Sequence, residues 1–348
     1  MDDAHDWLPE AGLGPDPATV QEVLVIRPGG LGDVVHAVPA LRHLRRTYPS
    51  ARVTVAAGAP ARGLLEACPF VDRSIDLEQP SEAKLERVDV AVSFAPPGES
   101  SPLKVADVDA RFRASWRADD EGERGAIHPV WPQRLDARTR MLRLAWLLGG
   151  AAPGDSDTLG LWPTLADRNG AARLVNGGQR PLAVLHAGAG CPERLWSAQH
   201  WARVADLLDG LGLAPVFVGT AVDRAMTDEV IIDARCAPLS LVERTTVGEL
   251  AGLLERASLF VGSDSGPAAL AGALGVRSIV VGPGSMLEHV ARPGVVDLVP
   301  AGACGSCGEV ACMHAPAPAA EVPLEQVLAR VGLAAATAHA RWHAQGIA

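Results

Sequence analysis

The sequence predicts two doubly wound α/β domains, each wrapped around a parallel sheet. Three features lead there. Short continuous apolar runs, suited to strands buried on both faces, alternate with amphipathic helical stretches in both halves of the chain. A chain of 348 residues is long for one domain and comfortable for two of about 150 each. Hydrophobic residues at 48%, against 21% charged, allow each half a core; with aromatics at 4%, those cores rest on Ala, Val and Leu.

The first strand is Val23–Arg27 (VLVIR), and it runs into the loop Pro28-Gly29-Gly30-Leu31-Gly32-Asp33. An amphipathic helix follows from about Val34 to Tyr48. Arg52–Ala57 is the next parallel strand, with short strands at Arg73–Asp76 and Asp89–Ser93. Residues Ala95–Trp131, rich in Pro, Gly and charge, read mostly as loops with short elements. Ala137–Leu148 reads as a helix, and the Gly, Pro and Asp punctuation from Gly149 to Gly178 as an interdomain connection. A second alternation starts at Pro181. Its strands are Leu182–His186, Ala214–Val218, Leu259–Gly262 and Ser278–Val281; its helices are Ala198–Gly210, Val222–Ala234, Val247–Arg256 and Gly266–Leu274. Pro323–Val331 and the Ala-rich tail to Ala348 read as helical. These elements put one domain at 20–165, a second at 178–322, and a helical tail at 323–348 that could pack back on the first domain. In such sheets, ligands bind beyond the carboxyl ends of the strands.

Charge and composition exclude several classes. A formal net charge of −10 argues against a nucleic-acid binder that neutralises phosphates. The run Arg111, Arg113, Arg117 reads as a solvated face. Residues 1–16 are acidic and polar, without the features of a secretory signal, and no apolar run reaches the roughly 18–20 residues that span a bilayer. The chain is therefore expected to be cytoplasmic. Cys304-x2-Cys307-x4-Cys312, with His314, offers four groups able to bind zinc, but the spacing fits no strong zinc pattern and no metal is assigned.

Three loops carry chemistry. Glycines at 29, 30 and 32 permit a tight turn and close ligand approach, and Asp33 opens the following helix. On the loop alone, an N-cap and a catalytic carboxylate fit Asp33 equally. The G-G-L-G spacing lacks the last glycine of a dinucleotide fingerprint, and no acidic residue ends the second strand, so NAD binding is rejected. The second loop is Gly262-Ser263-Asp264-Ser265-Gly266-Pro267. It places a hydroxyl, free backbone N–H groups and a helix start at one point, which suits a phosphate or an ordinary capped turn. The third is His186-Ala187-Gly188-Ala189-Gly190 with Arg194, a permanent charge able to grip phosphate oxygens in pairs. Trp196 and Trp201 read as core.

Several segments, taken in order, resemble the family 9 glycosyltransferases, the ADP-heptose heptosyltransferases. Val23–Pro49 is similar to the family's opening. His186–Trp201 resembles its H-x-G segment, basic residue and H-W pair, and Val216–Asp223 its next strand and turn. Ser263–Ala271 (SDSGPAALA) resembles D-[ST]-G-P-x-H-L-A, and Ser278–Gly284 the closing strand. The resemblance implies a GT-B fold of two Rossmann-like domains facing across a cleft, the first taking the acceptor and the second the donor. It implies an inverting, metal-independent sugar transfer from an ADP-sugar, with no bound cofactor. By residue, it implies Asp33 as general base and Arg194 as the phosphate cation. Asp223 would hold the ribose, Asp264 would orient the donor sugar, Ser265 and Gly266 would supply the helix-start hydrogen-bond donors, and Pro267 would line the nucleotide-sugar site beside them. Ala189, Gly190, Gly219 and Thr245 would line the nucleotide site, and His36 would lie near the acceptor with Gly29, Gly30 and Gly32. Two positions depart from the pattern: Ala269 stands for the motif's histidine and Arg194 for its lysine, which leaves the donor sugar open. The expected acceptor is a cell-envelope glycan or a small natural-product intermediate, and the expected state a monomer. A nucleotide-sugar epimerase or hydrolase of the same architecture, and a non-catalytic nucleotide-binding protein, remain as alternatives.

Overall fold

The computed structural model describes residues 12–79, 87–116, 127–129, 135, 137–151, 163–175, 180–283, 296–301 and 319–344. Arg117 and the Cys304, Cys307, Cys312 and His314 cluster lie outside the described residues. The chain divides into two units, Met1–Leu161 and Trp162–Ala348.

The first unit holds β1 (Glu22–Arg27), β2 (Arg52–Ala57), β3 (Arg73–Asp76), β4 (Val88–Ser93) and β5 (Ala110–Ala114). They form one sheet in the order β3-β2-β1-β4-β5, with every neighbouring pair parallel. The central strand β1 buries Val23, Leu24, Val25 and Ile26 completely, as a strand covered on both faces must. Helix α1 (Leu31–Thr47) follows the glycine loop, α2 (Ala59–Glu66) links β2 to β3, and α3 (Ala137–Leu147) packs along α1. His43 belongs to that packing, its ring nitrogen 2.8 Å from the Gly149 carbonyl oxygen. Strand β5, with Arg at alternate positions, is regular structure inside a stretch whose composition reads as loop; it survives as an edge strand, where alternate polar side chains can face out.

The second unit holds β6 (Leu182–His186), β7 (Ala214–Phe217), β8 (Leu239–Ser240), β9 (Ala257–Ser263), β10 (Ser278–Pro283) and β11 (Val296–Ala301). Their order is β11-β10-β9-β6-β7-β8, again all parallel. This is the doubly wound order of dinucleotide-binding sheets, and the first unit repeats its first five strands. Helices α5 (Ala198–Gly210), α6 (Arg224–Asp233), α7 (Val247–Arg256) and α8 (Gly266–Ala273) connect the strands. Trp196 and Trp201 are buried in the core, edge to face at 5.1 Å, and the Trp196 indole donates to the Val322 carbonyl.

One expectation is corrected. The stretch expected to be an interdomain connection contains a helix, α4 (Leu165–Leu174), that packs on α7 and so belongs to the second unit. It starts at a reciprocal cap: the Thr164 hydroxyl accepts the Asp167 N–H at 3.2 Å, while the Asp167 carboxylate accepts the Thr164 N–H at 2.9 Å. Helix α9 (Leu324–Ala344) carries an apolar stripe, Val327, Val331, Ala334, Ala335 and Ala338, at helical spacing, and buries it against α5, β9 and β10 of its own unit.

Candidate functional site

In each sheet the strand order reverses between two neighbouring central strands, and loops leaving their carboxyl ends part to opposite faces. That is where doubly wound sheets bind ligands. In the first unit the reversal lies between β1 and β4; in the second, between β6 and β9.

At the β1 end, Asp33 sits in the first turn of α1 and folds back, its Oδ2 accepting the Gly30 N–H at 2.8 Å. Its Oδ1 accepts from Arg27 at 2.5 Å. Arg27 is the last residue of β1; its side chain is only 6% exposed against 43% for Asp33, so a buried cation presents an accessible carboxylate. The guanidinium also donates to the Pro28 carbonyl at 2.8 Å and to the Asp33 carbonyl at 3.3 Å, which fixes it in the turn. Glu99, on the loop after β4, comes within 3.8 Å of the same guanidinium. Burial pushes the Glu99 carboxyl up, against the pull of Arg27, and the negative charge of Asp33 pushes the same way. Gly29 is required here: its φ is +98°, and a Cβ there would stand 2.3 Å from the Asp33 carboxylate. Gly30 is open to solvent, Gly32 lies in the first turn of α1, and His36 is half-buried one turn along from Asp33.

The second unit gathers more of its expected residues. Arg194 closes a short turn after the glycine loop, with its side chain 12% exposed and 3.5 Å from the buried Asp264 carboxylate. Asp264 follows β9 directly, anchored by its N–H to the Val281 carbonyl. Ser265 is the N-cap of α8, but its hydroxyl donates back to the Ser263 carbonyl at 3.0 Å, so among the described residues the α8 first turn has no side-chain cap. Pro267 sits in that first turn after Gly266, and Ala269 is buried beneath it. Arg194, the α8 amides and their dipole are the ingredients of an anion site.

Asp223 is tied into the loops around it. It is 6% exposed, with one oxygen accepting both the Thr220 N–H at 2.7 Å and the Thr220 hydroxyl at 3.1 Å, and lying 3.6 Å from His186 Nε2. Gly188 and Gly219 close over it; a Cβ on Gly188 would come to 1.7 Å from its Oδ1. Burial raises the Asp223 carboxyl, but the bonds to His186 and Thr220 outweigh it and hold it below its ordinary value. One carboxylate oxygen thus braces two loops, beside the ribose contact that the resemblance implies for Asp223. Ala189, Gly190 and Gly219 form the accessible parts of those loops, with Gly190 exposed and Ala189 half-buried. Thr245 precedes α7 beyond the end of β8.

Sequence reasoning missed Glu243. Among the described residues it is the non-glycine with a positive φ, +61°, a conformation that concentrates at functional sites. Its N–H donates to the Gly219 carbonyl at 2.9 Å and its carboxylate pairs with Arg224 at 2.7 Å, tying the β8 loop to the Gly219 loop. Arg27 and Glu99 were missed as well; the clue was an arginine ending an otherwise apolar strand.

Residues 151–287 match the model of glycosyltransferase family 9 (heptosyltransferase). The lipopolysaccharide core heptosyltransferase OpsX of Haemophilus influenzae is 22% identical over 269 residues, covering 72% of this chain and 76% of that protein. Among solved structures, the family 9 glycosyl transferase of Veillonella parvula superposes with a TM-score of 0.68 at 20% identity, covering 80% of this chain and 86% of the other. The ADP-heptose lipopolysaccharide heptosyltransferase II of E. coli superposes at 0.67 and 19% identity, over 91% and 99%. E. coli WaaC, solved with ADP-2-deoxy-2-fluoro heptose, superposes at 0.62 and 15% identity, over 89% and 99%. These likenesses fix the architecture as GT-B.

Proposed function

We propose that the chain, which resembles glycosyltransferase family 9, the heptosyltransferases, is a glycosyltransferase that moves heptose from ADP-heptose to an acceptor hydroxyl in one inverting, metal-independent displacement. Asp33 takes the proton of the acceptor hydroxyl as that oxygen attacks the anomeric carbon. The bond from that carbon to the diphosphate oxygen breaks on the opposite face, and ADP leaves with the bonding pair. Arg194 and the amides at the start of α8 receive the charge that develops on the diphosphate. Asp264, paired with Arg194, orients the sugar hydroxyls. Gly190, Gly219 and Thr245 line the nucleotide, while Asp223 holds the loops in shape. His36 and the glycines at 29, 30 and 32 stand on the acceptor side.

The observation that supports this reading most is the pairing of Arg194 with Asp264 beside an uncapped helix start at the second reversal point. The acceptor is a cell-envelope glycan or a small natural-product intermediate, and the protein acts as a cytoplasmic monomer. Among the described residues no helix is long and apolar enough to cross a membrane.

The test is ADP release from ADP-heptose with and without candidate acceptors, with the anomeric configuration of the product read by NMR. Acceptor-dependent release and an inverted product support the reading. Release that ignores the acceptor points to a hydrolase, and conversion of the donor sugar without release to an epimerase.

A further inference from the structure

The last turns of α9 place two histidines one helical turn apart, His339 and His343, with their Nε2 atoms 3.0 Å apart. Residues at i and i+4 share a helix face, so both rings project to the same side. Their planes are inclined by 65° with centroids 4.4 Å apart, so the ring edges converge on one point. The His339 ring is fixed from behind. It lies against the bare backbone of Gly212, in the turn between α5 and β7, where a Cβ would come to 2.7 Å from its Cε1. Its Nδ1 is buried against that turn without a hydrogen-bond partner, which leaves Nε2 as the nitrogen it can offer outward. His343 is exposed and open to solvent.

We propose that His339 and His343 form a two-imidazole chelate for a divalent transition-metal ion of the copper or nickel kind. Metal–imidazole bonds of about 2.0–2.1 Å, spanning the observed 3.0 Å, subtend an angle of about 94° at the metal. That is the angle between neighbouring ligands of a tetragonal or octahedral ion. A tetrahedral zinc site would need the nitrogens about 3.3 Å apart. Neutral imidazole suits copper and nickel in affinity as well as geometry, and copper leads the divalent series. Among the described residues no third His, Cys, Asp or Glu joins the pair to make a cluster of three, so water completes the coordination and the site is an exchangeable one on the surface. The metal would take the place of the bond between the two rings and tie together the last turn of α9. This inference stands apart from the glycosyl-transfer reading.

The test is calorimetric titration of the full-length, untagged, metal-stripped chain with CuCl2, NiCl2, ZnCl2 and MgCl2. The three clustered cysteines are replaced by serine in every sample so that thiols do not compete. His343 is exposed, so His343→Ala leaves the core untouched; His339→Ala serves as the second variant. One equivalent of copper should bind, with nickel and zinc weaker and magnesium absent, and with hyperfine coupling to two nitrogens in the copper spectrum. His343→Ala should weaken copper at least tenfold and reduce the coupling to one nitrogen. Failure of the parent chain to bind copper, or equal binding and an unchanged spectrum in His343→Ala, would overturn the proposal.

Discussion

The two sheets share a strand order and opposite electrostatics. At the first reversal point the buried partner is a cation and the accessible one an acid: Arg27 at 6% exposure beneath Asp33 at 43%. At the second the acids are buried, Asp264 at 6% and Asp223 at 8% by side chain, and what faces the loops is Arg194 beside the first-turn amides of α8. One architecture therefore holds two different charge arrangements, an accessible acid at one reversal point and an arginine beside a helix start at the other. A carboxylate held in place and reachable suits proton abstraction; a cation at a helix start suits a diphosphate.

The largest effect that would break this contrast is loss of the base. Asp33→Asn should lower kcat by about 10²–10⁴-fold while ADP affinity stays as it was; a variant with near-normal turnover would remove Asp33 from the chemistry. Next comes the cation. Arg194→Ala should weaken ADP by about 1.5–3 kcal/mol, the range for hydrogen bonds to charged groups, with Arg194→Lys recovering part of it. Equal binding by all three proteins in calorimetry would place the diphosphate elsewhere.

Gly188→Ala sharpens the comparison in a third way, because a Cβ there would strike the Asp223 carboxylate at 1.7 Å. Overpacking of this kind costs about 1–3 kcal/mol, to be read by denaturant unfolding, and an unchanged midpoint would mean that the two loops are not braced as described. The Asp223 carboxyl lies below its ordinary value, so its contribution to stability is present above the unfolded value of about 3.9 and is lost as pH falls through the lower folded value. Asp223→Asn should lower stability near neutrality, where that contribution is present, and flatten the pH dependence in the acid window. The smallest effect belongs to the exposed Arg168–Glu255 pair joining α4 and α7 at 2.6 Å. Glu255→Gln should cost less than about 1 kcal/mol.

Much of the fold was legible because buried parallel strands read as unbroken apolar runs, as VLVIR and LAVLH do. What escaped was decided by tertiary contact. Helix α4 has a weak apolar pattern and earns its place by packing on α7; only Thr164-x-x-Asp167 announced it. The tail was legible as a helix but not in its docking, since an Ala and Val stripe names no partner. In the candidate site, Asp264 and Ser265 follow β9 directly and Asp33 and Arg194 lie in the loops after β1 and β6, so local sequence placed them. Glu99 meets Arg27 only through the pairing of β4 with β1, and the positive φ of Glu243 has no signature in residue type. Asp223 was found from its motif position, but its bonds to Thr220 and its approach to His186 depend on how the two loops meet in space.

The most direct measurement is calorimetric titration of ADP, UDP, GDP and dTDP into the parent chain, Asp33→Asn and Arg194→Ala. The division of roles predicts selective ADP binding, untouched by Asp33→Asn and weakened at least tenfold by Arg194→Ala. Binding weakened alike by both substitutions, or no preference for ADP, would contradict it.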